Sequence, residues 1–170
     1  MEKDAKNQNG ERLKAAAPVT ASQRKQILAA IKDRLEAKCP FFREVRRGPA
    51  RPSVARPTCT VCDNGEDENA WADQDDESTS DILKVRLMLS LYAQWDKEAD
   101  MDLWTDNVAF IKRQLRRWIP AGLGIERPGP GKFSDSPFDC VYMSGSVEAV
   151  WAIDFEVPYF GVAAAPGQVS

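Results

Sequence analysis

The sequence predicts an α+β fold: a mainly antiparallel β-sheet with two amphipathic helices packed on one face, in the order α-β-β-α-β-β, within a single domain. Three observations predict it. Ile27, Ile31 and Leu35 recur at helical spacing with Leu28 beside them, and Trp104, Val108, Ile111, Leu115 and Trp118 do the same at steps of 4, 3, 4 and 3. Residues 82–95 and 147–157 instead alternate apolar with polar side chains, the signature of half-buried strands.

Residues 1–19 are polar, charged and almost free of large apolar side chains, so they are expected to be disordered or ordered only by a partner. They hold no apolar segment of the signal-peptide kind, and no stretch of the chain reaches the ~18 uncharged apolar residues of a membrane span. The expectation is a soluble protein made in a cytoplasm, with its thiols reduced. Thr20-Ala21-Ser22-Gln23 reads as a capping box opening a helix over residues 21–38, which Cys39-Pro40 ends.

Residues 43–57 alternate Arg43, Arg46, Arg47, Arg51 and Arg56 with three prolines, which predicts an extended basic connector. Thr58 to Cys62 has strand composition. Residues 63–81 then collect carboxylates, Asp73, Asp75, Asp76 and Glu77 among them, with no basic residue to balance them. An acidic loop projecting into solvent is predicted, with Trp71 as its apolar exception.

Ile82 to Trp95 is the clearest strand. Val85, Leu87, Leu89, Leu91, Ala93 and Trp95 share one face, and Lys84, Arg86, Met88, Ser90, Tyr92 and Gln94 the other. Its length suggests a strand able to form sheet between subunits. Asp100 reads as the N-cap of the second helix, whose early acids and late bases (Lys112, Arg113, Arg116, Arg117) complement the helix dipole; Pro120 ends it. Residues 120–137 read as a Gly/Pro loop, Phe138 to Met143 as a short strand, Ser144-Gly145-Ser146 as a turn, and Val147 to Val157 as the closing strand. The folded domain is placed at residues 20–162, with 163–170 as a flexible tail.

Candidate chemistry is sparse. The chain contains no histidine, which removes Ser-His-Asp and Cys-His systems. Cys59-x-x-Cys62 is the nearest approach to a metal motif. A zinc site would have to recruit Cys39 and Cys140, which lack the spacing of a second pair, so the cysteines read as small apolar residues. Asp63-x-Gly65-x-Asp67 only faintly resembles a calcium loop. No cofactor or metal is expected, and the reading is of a non-enzyme. The charge, formally −3 overall, is segregated along the chain. The arginines of 43–56 and those at 113, 116 and 117 are candidate interface residues, with the carboxylates at 73–77 as their counterparts. Nucleic-acid contact by the basic segments is a further reading, though aromatic interleaving is scarce.

Ile27-Leu28-Ala29-Ala30-Ile31-x-x-x-Leu35, the strand Val85 to Trp95, the helix Asp100 through Trp118 and the closing Trp151-Ala152-Ile153-Asp154-Phe155-Glu156-Val157-x-Tyr159 together resemble the tail terminator (tail-completion) proteins of long-tailed bacteriophages. The resemblance covers residues 20–162; the basic connector and the acidic insertion at 63–81 depart from it. It implies an α/β subunit that assembles as a hexameric ring on the last ring of the tail tube, stops tube growth and meets the neck. The implied partners are further copies of the chain, the tail tube protein, a neck or head-completion protein, and the sheath protein if the tail is contractile. DNA would pass through the ring without sequence-specific contact, and no membrane is involved. The implied place is the tail–neck junction of the virion, after assembly in the host cytoplasm. Another neck component, such as a head-completion or tail-to-head joining protein, fits the same residues, and a nucleic-acid-binding α+β module fits the basic ones.

Overall fold

The computed structural model describes residues 22–49, 55–68, 80–91, 98–125, 129–143 and 146–160. The expected arm 1–19, Arg51, Trp71, Asp73, Asp75, Asp76, Glu77, Ala93, Trp95, the turn at 144–145 and the tail 163–170 lie outside the described residues. Two helices and five strands follow one another as α1 (Gln23–Lys38), β1 (Glu44–Arg47), β2 (Thr58–Glu68), β3 (Ser80–Leu91), α2 (Glu98–Leu115), β4 (Gly131–Met143) and β5 (Ser146–Phe160). The strands form one sheet in the order β1-β2-β3-β5-β4, antiparallel except for the β1–β2 pair. The α+β class and its one-sheet architecture are as the sequence predicts.

One side of the sheet carries the core. Leu83, Val85, Leu87, Leu89 and Leu91 of β3 and Trp151, Ile153, Phe155, Val157 and Tyr159 of β5 are buried in one cluster with Ile27, Leu28, Ile31 and Leu35 of α1 and Trp104, Val108, Ile111 and Leu115 of α2. Both helices therefore lie on the same face. Each of these side chains contributes about 1.5–3 kcal/mol by leaving water, which outweighs the weak intrinsic preference of any one segment.

Several local readings need correction. Ser22, not Thr20, caps α1: its hydroxyl accepts from the Lys25 N–H at 3.4 Å. The Gln23 amide does not complete a capping box but donates to the Leu123 and Phe160 carbonyls at 2.6 and 2.7 Å. The helix does end at Cys39-Pro40, with Cys39 at φ −118° as the following proline requires.

The basic connector is extended at its start, where it joins the sheet, while residues 50–54 lie outside the described residues. It contains β1, held parallel to β2 by the Glu44–Arg47 to Thr58–Val61 register. Val45 is its one apolar side chain and is buried, too slight a signal to stand out among arginines. The acidic segment is likewise not all loop. β2 continues to Glu68 through a register shift between Asp63 and Glu66, where Gly65 adopts φ 104°. Its carboxylates are tolerated because bases from elsewhere in the chain meet them: Arg24 meets Asp63 and Glu66, and Lys84 meets Asp67.

β3 lies at the centre of the sheet, paired with β2 on one side and β5 on the other. Over Ser80–Leu91 it therefore offers no free edge for sheet formation between subunits, contrary to expectation; the expected continuation to Trp95 lies outside the described residues. The edges are β1 and β4. β1 is short and arginine-rich, and β4 is broken by two register shifts, one of them at Pro137; both devices blunt edge-to-edge pairing. β4 also starts at Gly131, inside the expected 120–137 loop. An edge strand tolerates Pro because an N–H on its open side needs no ladder partner, while Phe133 stacks inward on Phe155 with ring centroids 5.0 Å apart. α2 begins at Glu98, so Asp100 is in its first turn rather than its cap, and it ends at Leu115 rather than at Pro120. Arg117 at φ 69° turns the chain there.

Candidate interaction surface

The sheet face away from the helices carries two sets of paired charges among the described residues. Arg86 of β3 makes a two-pronged pair with Asp154 of β5 at 2.7 and 2.9 Å, the planar fork matching the carboxylate. Beside it a row of alternating charge crosses four strands. Asp67 pairs with Lys84 at 2.5 Å, Lys84 stands opposite Glu156 in register, and Glu156 takes Lys132 at 3.0 Å. Such pairs are worth ~0–1 kcal/mol each at a surface. Among the described residues these six side chains balance one another in charge.

The outward side of α2 is different. Its first half presents Glu98, Asp102 and Asp106 to solvent, and its end presents Arg113 with Arg116 and Arg117 just beyond it. Acid and base are too far apart along the helix for the i, i+4 pairing that would neutralise them. Among the described residues none of these six makes an ion pair. The arginines instead rest on rings: the Arg113 guanidinium lies 6.0 Å from the Phe110 centroid and that of Arg116 lies 5.5 Å from Phe133. Cation–π contact orients them without consuming their charge. Lys112 differs, because its ammonium is paired with Asp135 of β4, which also accepts from the Trp151 indole at 3.3 Å. Ala109, Lys112, Arg113, Arg116 and Arg117 line an open groove of about 600 Å³.

The second predicted arginine group is elsewhere. Arg43, Arg46 and Arg47 lie at or on β1, one sheet edge, whereas the Arg116 ring partner Phe133 lies on β4, the other. The two basic groups are thus not brought together. Arg46 donates to the Thr60 hydroxyl at 3.0 Å, Arg43 and Arg47 are exposed, and Arg56 is half-buried. Lys25, Leu28, Arg47, Gly48, Pro49, Val61, Cys62 and Asp63 line a second groove of about 510 Å³ between α1 and the β1–β2 pair.

A polar clasp that sequence reasoning missed ties the start of α1 to the sheet. Arg24 pairs with Asp63 through both prongs and reaches Glu66 at 3.4 Å, and the Tyr159 hydroxyl donates to the other oxygen of Glu66. The Arg24 guanidinium holds the Asp63 carboxyl below the usual carboxylate range. Burial and the Glu66 carboxylate both push the Tyr159 phenol up. Four residues drawn from three distant segments carry no common sequence signal, so only the fold could reveal them.

Cys59 and Cys62 sit three residues apart on β2, hence on opposite faces of the sheet, and cannot close on one ion. Cys59 is in the core and burial raises its thiol pKa; burial also pushes the Cys39 thiol up to about 11. Among the described residues no group of three or more Cys, Asp or Glu side chains could hold a metal ion. No described helix is long and apolar enough to cross a membrane. Compared with models of known protein families and with the curated proteins, the chain matches none.

Proposed function

We propose that this chain is a structural subunit of a bacteriophage tail, a tail terminator that forms a ring, most simply a hexamer, on the end of the tail tube and joins it to the neck. The observation that carries the reading is the element order α1-β1-β2-β3-α2-β4-β5. It builds one sheet covered on one face by both helices, and Glu98, Asp102, Asp106, Arg113, Arg116 and Arg117 make no ion pair among the described residues. The work of such a subunit is done by surfaces rather than by a reaction. The balanced outer sheet face suits contact with water, and the arginines at 113, 116 and 117 suit contact with carboxylates of a neighbouring subunit or of the adjoining tube or neck ring. Arg43, Arg46 and Arg47 on the opposite edge supply a second contact, so each subunit meets two neighbours through different patches, as ring closure requires.

Arg113→Glu with Arg116→Glu tests the reading. Both side chains are exposed at the end of α2, so the monomer is expected to fold normally by circular dichroism while ring formation and capping of tail tubes are lost. Normal capping by the doubly substituted protein would refute it. A head-completion role would leave the same surface in use but direct it to the head rather than to the tube end.

A further inference from the structure

We infer that the groove between α1 and the β1–β2 pair takes the segment at residues 69–79 of a second copy of this chain, with Trp71 as its anchor. The groove, of about 510 Å³, has Leu28, Pro49 and Val61 as apolar lining and Lys25 and Arg47 as its bases. Neither base makes an ion pair among the described residues. Asp63, the carboxylate in the lining, is already held by Arg24. An occupant must therefore bring an apolar side chain together with negative charge of its own. The helix dipole does not explain Lys25. That residue lies in the first turn of α1, where the dipole disfavours a cation, and the turn holds no acidic residue.

Residues 69–79 lie outside the described residues, but their chemistry is plain from the sequence. They join the Trp71 indole to Asp73, Asp75, Asp76 and Glu77 and contain no base. Of the segments outside the described residues, this alone combines an aromatic ring with an excess of carboxylates. An indole in an apolar groove is the kind of anchor that dominates interfaces, and carboxylates beside it meet the two bases.

The contact runs between copies. β2 leaves the groove at Val61–Asp63 and ends at Glu68, with Cys62 opposite Arg86 and Glu68 opposite Asp81 of β3. Those two β3 positions are five residues apart, ~17 Å of strand. Trp71 follows Glu68 by three residues, which span at most ~11 Å. A chain that must also reverse direction cannot return Trp71 to the groove of its own copy. The segment leaves one end of the sheet and the groove opens beside the β1 edge, so donor and acceptor are different patches. Such a contact is heterologous and can repeat around a ring. The inference rests on the ring reading for that closure and adds to it the segment that crosses between subunits.

Sedimentation equilibrium of the full chain, at low ionic strength and up to about 1 mM, tests it. Two variants are compared with the wild type: Trp71→Ala, which keeps the groove, and Lys25→Glu with Arg47→Glu, which keeps the segment. Lys25 and Arg47 are exposed and a glutamate at position 25 suits the helix dipole, so circular dichroism is expected to show an unchanged fold. Each variant alone is expected to associate with a dissociation constant about tenfold or more above the wild type. Equimolar mixing is the decisive arm. The groove of the Trp71→Ala chain and the segment of the other remain intact, so the mixture regains one contact per pair and stops at 1:1 dimers. Variants that associate as the wild type does, or a mixture no tighter than its components, would overturn the inference; wild-type rings would then leave the ring reading standing. A wild-type protein that stays monomeric would overturn both. Wild-type chains that lengthen without closing, with 1:1 dimers in the mixture, would support the contact and refute the ring.

Discussion

Gly124 shows how tightly a single residue can be specified. Its φ of 65° is the left-handed region open to glycine, and an added Cβ would stand 2.6 Å from the Phe160 carbonyl oxygen and 2.7 Å from the Gln23 amide. The surrounding backbone is committed, since the Phe160 N–H donates to Gly124 O at 2.8 Å. Gly124→Ala should lower stability by about 1–3 kcal/mol, read as a lower urea midpoint. A midpoint equal to wild type would mean that the 120–125 turn is not held against β5. The clasp gives a second expectation at this scale. Asp63 has its folded-state pKa depressed by Arg24, so its contribution is present above the unfolded value near 3.9 and is lost as pH falls through the folded one. Both side chains are about one-third exposed, which keeps the contribution below about 1 kcal/mol. The urea midpoint should therefore fall between about pH 5 and pH 3, and fall less in Asp63→Asn. Equal slopes for the two proteins would remove the clasp from the acid stability of the fold.

Among the elements, the ones legible in the sequence are those that bury one face and solvate the other. β3 and β5 alternate without interruption because helices cover one side only, and α2 keeps Trp104, Val108, Ile111 and Leu115 on one stripe for the same reason. Ile111→Ala should accordingly cost about 2–5 kcal/mol without altering the exposed face, measured by denaturation and by unchanged far-ultraviolet circular dichroism at low temperature. The elements that escaped are the sheet edges. β1 has only Val45 to bury, and β4 runs through Ser134, Ser136 and Pro137, because an edge strand is constrained on fewer sides. The acids of β2 misled for a different reason. Their partners Arg24 and Lys84 lie in other elements, and ion pairing across a sheet leaves no local pattern in the chain. The candidate surface was legible in part: the arginines at 113, 116 and 117 stand out by type. That none of them meets a carboxylate among the described residues, and that they lie far from Arg43, Arg46 and Arg47, are properties of the fold.

For the whole molecule, the distribution of charge matters more than its sum. On the outer sheet face the described charges Asp67, Lys84, Glu156, Lys132, Arg86 and Asp154 balance one another. On α2, Glu98, Asp102 and Asp106 stand apart from Arg113, Arg116 and Arg117 beyond them, and among the described residues none of the six makes an ion pair; the proposed assembly would use this surface. The direct test is negative-stain electron microscopy of the purified protein, alone and mixed with a lysate of tails that lack it. The tail-terminator account predicts six-fold rings, or caps on the ends of tubes of defined length. Protein that stays monomeric and never decorates a tube end would contradict it.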